Sequence, residues 1–132
     1  MDILDKKIVM TACIIGAVTI AIGAFGAHGL KQLVKAQSLA TFETGVRYQM
    51  YHVLALLVIG FAKPIDMKTK KWVFVLLLLG MLLFSGSIYI LALKDVFSFS
   101  VSFLGPITPI GGLLFMAGWL RLGFGIWKSK NS

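Results

Sequence analysis

Four stretches of this chain, residues 8–27, 46–62, 72–93 and 107–127, are each long and apolar enough to reach across a lipid bilayer, and they leave little else in 132 residues. Covering about 30 Å of hydrocarbon takes about 20 helical residues. Hydrophobic residues make up 58% of the chain and the mean hydropathy is +0.92, more apolar surface than a water-soluble domain of this length can bury. The expected fold is therefore all-α: one domain, residues 1–132, forming an integral membrane four-helix transmembrane bundle with short connections.

The formal charge of +8 does not signal nucleic acid, because the basic residues fall in the gaps between the spans. There they act as topology determinants and contacts to membrane lipids. Lys6, Lys7, Lys63, Lys68, Lys70, Lys71, Arg121, Lys128 and Lys130 share one side, against Lys31, Lys35, Arg47 and Lys94 on the other. Both termini are thus expected in the cytoplasm, with the chain in the plasma (inner) membrane and Trp72 and Trp127 at the inner interface. Lys6 and Lys7 precede an apolar run that is longer than a signal-peptide core, and Asp2 and Asp5 do not suit a leader, so the first helix is expected to be retained. Cys13, the only cysteine, allows no intrachain disulfide and is expected to pack as a small apolar residue.

Small residues mark the packing faces. Ala12, Gly16, Thr19, Gly23, Gly26 and Ala27 form one stripe of the first span, with Ile14, Val18, Ile22 and Phe25 opposite. Gly111, Gly118 and Gly125 repeat every seven residues on the last span, as do Gly80 and Ser87 on the third. Lipid supplies no hydrophobic pull between helices, so close approach at small residues must do so. The sevenfold repeat suits shallow antiparallel crossings and a homo-oligomer. Residues 30–37 read as a short amphipathic interfacial helix between spans 1 and 2, with Ser38 or Thr41 capping the next helix. Residues 97–103 alternate Phe with Ser and Val; a lone strand in lipid leaves its backbone unpaired, so a loop anchored by phenylalanines is expected, with a shallow re-entrant segment as the alternative. Pro109 belongs in the first turn of the last helix.

The second span is unusual. Its purely apolar part, residues 53–62, is too short to cross, so the helix must extend back through polar residues, and polar residues within a span suggest function or a specific partner. Glu43 and Arg47, four apart, are expected to form a structural ion pair. Gly45, Gln49 and His52 occupy another face with Tyr48 beside them. His52 would sit about 13 Å deep, near the midplane. Its imidazole has several possible roles: a packing hydrogen bond to Tyr48, Ser85, Ser87 or a carbonyl; a proton relay or polar passage; contact with a lipid or quinone; or, least favoured, haem or metal ligation. His28 lies roughly 10 Å away in depth, so the two histidines share no metal unless the first helix breaks at Gly23 or Gly26, and no Cys or carboxylate completes a ligand set. Neither metal nor cofactor is expected. Arg121 is expected to snorkel to the cytoplasmic surface. The absence of a mid-span carboxylate disfavours proton-coupled multidrug export, and no phosphate-binding loop, nucleophile elbow or metalloprotease helix is present.

Three blocks read together carry a resemblance. They are Gly23-Ala24-Phe25-Gly26-Ala27-His28-Gly29-Leu30; Phe42-Glu43-Thr44-Gly45-Val46-Arg47-Tyr48-Gln49-Met50-Tyr51-His52; and Leu83-Phe84-Ser85-Gly86-Ser87-Ile88-Tyr89 with Ile107-Thr108-Pro109-Ile110-Gly111-Gly112. The chain resembles the YwdK/YgdD-like small bacterial membrane proteins, which have distant mitochondrial relatives. The resemblance implies a polytopic plasma-membrane protein and adds no reaction. It implies His28, Glu43, Arg47, Tyr48, Gln49, His52, Ser85 and Thr108 as the positions where any shared function resides. The expected function is non-enzymatic: a bundle with a polar intramembrane cavity near His52 that binds or passes a small solute, proton or lipid-like molecule, lined by His52, Gln49, Tyr48, His28, Ser85, Ser87 and Thr108. The alternatives are an accessory subunit whose polar residues only fix packing and, third, an enzyme acting on lipid or quinone. Neither a nucleic-acid partner nor a nameable protein partner is expected.

Overall fold

A computed structural model describes residues 1–129; Lys130, one of the basic residues weighed above, lies outside the described residues. Four long helices follow one another: Ile3–Ala27, Ala36–Phe61, Met67–Ala92 and Ile107–Lys128. No strand occurs among the described residues. Residues 97–103 form a loop ending in a 3-10 turn, Ser102–Leu104, with Phe97 stacked on Phe99. The first, third and fourth helices are long and apolar enough to cross a membrane. The second is 26 residues long, about 39 Å at the α-helical rise, but it carries Glu43, Arg47, Gln49 and His52 and is not among those three.

Local chemistry sets the helix ends. The Asp2 carboxylate accepts from Leu4 N at 2.9 Å, and Asp66 from Thr69 N at 3.1 Å, each satisfying a free helix N–H. Pro109 falls in the first turn of the fourth helix, where its missing N–H costs nothing. The second helix starts earlier than expected. Lys35 is its N-cap, without a side-chain bond, and Ser38 and Thr41 lie inside the helix, where the Thr41 hydroxyl donates back to Gln37 O at 3.1 Å. The amphipathic helix expected over 30–37 reduces to one 3-10 turn, Leu30–Gln32. Its apolar residue does not lie along an interface: Leu30 is fully buried against Phe42 and Ala92. Cys13, expected to pack, is exposed on the outer face of the first helix.

The helices form two antiparallel hairpins. In the first hairpin the small stripe meets the second helix: Gly16 lies under Val53, Gly23 under Val46 and Gly26 under Phe42, while Gly60 of the second helix receives Val9. Ile14, Val18 and Phe25 face outward; Ala27, at the end of the stripe, is also exposed. In the second hairpin Gly80 lies against Phe115, Gly111 against the backbone of Leu83 and Phe84, Gly118 against Leu77 and Gly125 against Thr69. The sevenfold glycines are thus used within the chain. At Gly111 the third helix opens into a π-helical turn, Met81–Ser85, where the Gly86 N–H reaches back five residues to Met81 O. An apolar core of Ile8, Ala12, Val53, Leu56, Ile59, Val73, Leu77 and Phe115 joins the hairpins.

Two predictions follow from the packing and the caps. Gly111→Ala places a methyl group against the Phe84 backbone, which cannot rotate away, whereas at Gly123 nothing lies within 4 Å. Gly111→Ala should therefore lower stability by about 1–3 kcal/mol and Gly123→Ala should leave it near that of the unmodified protein, as read by unfolding in detergent micelles. At Asp66, hydrogen bonds from the Thr69 hydroxyl and amide hold the carboxyl below its ordinary value of 3.8. A lowered folded value means that the cap stabilises fully above 3.8 and is lost as the pH falls through the folded value. Amide exchange in the first turn of the third helix should rise over that acid range relative to Asp66→Asn, whose cap does not titrate.

Candidate functional site

The polar residues of the second helix face inward because Gly45, Gln49 and His52 recur at helical spacing on its buried side. Gln49 is the most connected. Its Oε1 accepts from the Tyr89 hydroxyl at 2.7 Å and its Nε2 donates to Thr19 Oγ1 at 2.7 Å; Thr19 in turn donates to Ile15 O at 2.6 Å. One side chain thus links the first, second and third helices. One turn toward the start of the helix, Ser85 of the π-turn donates to Gly45 O at 2.8 Å.

His52 ties the second helix to the fourth. Its ring stacks on Phe115, with centroids 3.7 Å apart and planes 8° from parallel. The Trp119 indole N–H donates to Nε2 at 3.0 Å, and Nδ1 lies 2.6 Å from Tyr48 O. Indole only donates, so Nε2 accepts and Nδ1–H donates to the carbonyl. The imidazole is neutral in this arrangement; an added proton would set two N–H groups face to face.

Beside this ring lies a cleft of about 550 Å³, lined by Tyr48, His52, Phe84, Pro109, Gly112, Leu113, Phe115, Met116 and Trp119. The polar cavity expected at His52 is replaced by this apolar and aromatic one, for a simple reason: both ring nitrogens are already engaged, and the rest of the lining is aromatic or aliphatic. The other expected lining residues do not converge here. Gln49 and Ser85 serve the contacts above, and Thr108 donates to Ser87, whose own proton goes to Leu83 O. His28 caps the first helix and is exposed, and that helix runs unbroken through Gly23 and Gly26, so the break a shared His28–His52 site needs is absent. The Glu43–Arg47 ion pair does not form: Arg47 donates to Thr44 Oγ1 at 3.2 Å, on the exposed side of the helix. Arg121 donates to Thr69 Oγ1 at 3.2 Å.

Sequence reasoning did not single out Trp119, Tyr89 or the partner role of Thr19. A tryptophan in the middle of a span, away from either interface, needs an acceptor for its N–H, and that was the available signal. A further pair was missed. Lys70, counted above as a surface charge, is 2% exposed and lies 2.6 Å from Asp5, with Gly60 O at 3.5 Å from its Nζ. It is the only ion pair among the described residues and locks the near ends of three helices.

Comparison with known proteins agrees with this architecture. The family described as protein of unknown function (DUF423) matches residues 22–112, which hold the second helix and most of the cleft. The chain belongs to this family. A UPF0382 membrane protein of Staphylococcus saprophyticus is 42% identical over 93% of this chain and 98% of its own length. YwdK of Bacillus subtilis is 36% identical over 89% and 93%, and YgdD of Escherichia coli, an inner membrane protein, is 36% identical over 96% and 94%. The resemblance read from the motif blocks is thereby established. No solved structure matches the chain.

The Tyr89–Gln49–Thr19 chain generates a prediction. Gln49→Leu should cost about 0.6–2 kcal/mol, the range for interhelical hydrogen bonds in membranes. Adding Tyr89→Phe, which removes the stranded hydroxyl, should recover part of the loss. Unfolding of the single and double variants in micelles measures both.

Proposed function

We propose that the protein is a four-span plasma-membrane protein, with both termini cytoplasmic, that binds the apolar chain of a lipid-like molecule in the cleft beside His52 and catalyses no reaction. The carrying observation is the cleft itself: about 550 Å³, within the usual range of about 300–1,000 Å³ for ligand sites, floored by aromatic rings and offering no unengaged imidazole nitrogen. Such a lining favours a hydrocarbon or isoprenoid chain and disfavours a small polar solute or a proton path. The second helix as a fourth span is supported by the inward partners of Gln49 and His52, which spare those groups from lipid. The contacts of Asp5, Gly60 and Lys70 at the ends of the first three helices, with Arg121 of the fourth bonded to the neighbouring Thr69, favour both termini on one side, and the excess of Lys and Arg there favours the cytoplasm. Lys31 and Lys35, exposed around the Leu30–Gln32 turn, suit the opposite headgroup layer.

A second reading is that of an accessory subunit, and one observation favours it: every buried side-chain polar atom among the described residues has a partner inside the chain. The cleft separates the two readings. At Gly112 an added Cβ meets only Phe84 ring atoms, at 3.8 and 4.0 Å, so Gly112→Leu should fold and fill the cleft. Native mass spectrometry of protein taken gently from membranes should show a bound amphiphile in the unmodified chain and its loss in Gly112→Leu, with the unfolding temperature kept; the same spectra give the copy number. If neither form retains an amphiphile, the accessory reading stands.

A further inference from the structure

Where the third helix begins and the fourth ends there is a second recess, of about 420 Å³, whose lining includes Asp66, Lys68, Thr69, Arg121, Phe124 and Lys128. Arg121, Phe124 and Lys128 fall on one stripe of the fourth helix, roughly opposite the stripe of Gly112, Met116 and Trp119 that lines the cleft. The two recesses are therefore separate.

Charge in this recess is unbalanced. Among the described residues, three cations face it against one carboxylate. That carboxylate is committed: Asp66 takes the Thr69 amide on one oxygen and the Thr69 hydroxyl, at 2.6 Å, on the other. Lys68, Arg121 and Lys128 have no ion-pair partner among the described residues. Among the described residues the Arg121 side chain makes one hydrogen bond, to the neutral Thr69 hydroxyl, which engages one of its five guanidinium donors. Phe124 gathers two of the cations, with Arg121 Cζ 5.9 Å and Lys128 Nζ 5.1 Å from its ring centroid. Cations drawn to one aromatic ring beside a recess stay close together despite their repulsion, an arrangement that a phosphate anion relieves. The start of the third helix adds nothing to the site, since Asp66 already caps it.

We propose that this recess is a phosphate-group site formed by Arg121, Lys128 and Lys68, taking either the headgroup of an anionic phospholipid or free phosphate. A guanidinium fork engages two phosphate oxygens at once, and the lysines supply point charge at the others. Three positive charges less the Asp66 carboxylate leave two, an excess that attracts either the single negative charge of a phosphodiester headgroup or the greater charge of free phosphate. The recess lies toward the end of the fourth helix, one of the three long and apolar enough to cross a membrane, and the end of such a helix is where headgroups of anionic lipids meet basic residues.

The test uses the full chain in detergent micelles, titrated separately with dioleoylphosphatidylglycerol, dioleoylphosphatidylcholine and inorganic phosphate, with binding read by native mass spectrometry. Phosphatidylglycerol should bind more tightly than phosphatidylcholine, and each basic residue neutralised should weaken it about fivefold. Lys128→Gln gives one such step and Arg121→Gln with Lys128→Gln gives two; Lys31→Gln, far from the recess, gives none. Lys128 is exposed and, among the described residues, its ammonium group enters no ion pair, so Lys128→Gln reads the site even where the double variant fails to fold. Displacement of phosphatidylglycerol by inorganic phosphate assigns the site to phosphate from either source; loss of phosphatidylglycerol binding in the variants without such displacement assigns it to the lipid. An unchanged preference for phosphatidylglycerol in Lys128→Gln and in the folded double variant overturns the proposal.

Discussion

Gln49 and His52 hold this bundle together in a way that its apolar residues cannot. In hydrocarbon, burying one leucine against another gains little over leaving it in lipid, so specificity between helices falls to close backbone approach and hydrogen bonds. Within each hairpin, glycine supplies the approach. Between the hairpins, the second helix supplies the bonds: Gln49 to Tyr89, His52 to Trp119, and the Gly45 carbonyl to Ser85, while Gln49 also ties its own hairpin together through Thr19. The polarity that excludes the second helix from the most apolar spans is what allows it to join the others.

The same satisfaction of polar groups shapes the site. A histidine with a free nitrogen in an intramembrane cleft would invite a proton, a metal or a polar solute. Here Trp119 and the Tyr48 carbonyl use both nitrogens, and Phe115 covers one ring face. What remains open is aromatic and aliphatic surface. The cleft accordingly presents shape and hydrocarbon surface rather than free polar groups. The charged chemistry is displaced to the helix ends, where Lys70 is neutralised by Asp5 while Lys68, Arg121 and Lys128 are not.

The π-turn at Met81–Ser85 illustrates how the two kinds of contact cooperate. Gly111 brings the fourth helix onto the backbone of Leu83 and Phe84, and the locally wider turn carries Ser85 to the Gly45 carbonyl. Phe84 then lies between Tyr48 and Phe115, with ring centroids 5.0 and 5.5 Å away, and forms one wall of the cleft. A single widened turn thus contributes to both the seam and the recess, in keeping with the frequency of such turns near functional sites.

Composition and periodicity alone determined the helical fold, three of the four approximate spans, the inward glycine stripes and the inward direction of Gln49 and His52, because a helix in lipid fixes which residues share a face whatever its neighbours are. They did not determine partners. Trp119 lies 67 residues from His52, Tyr89 lies 40 from Gln49 and Lys70 lies 65 from Asp5, and only the docking of one hairpin on the other brings them within hydrogen-bonding reach. For the same reason the expected Glu43–Arg47 pair gave way to Arg47–Thr44, and the expected polar cavity to an apolar cleft: spacing along one helix shows what is possible on its surface, whereas burial and competing partners, which are properties of the assembled bundle, decide which contact forms.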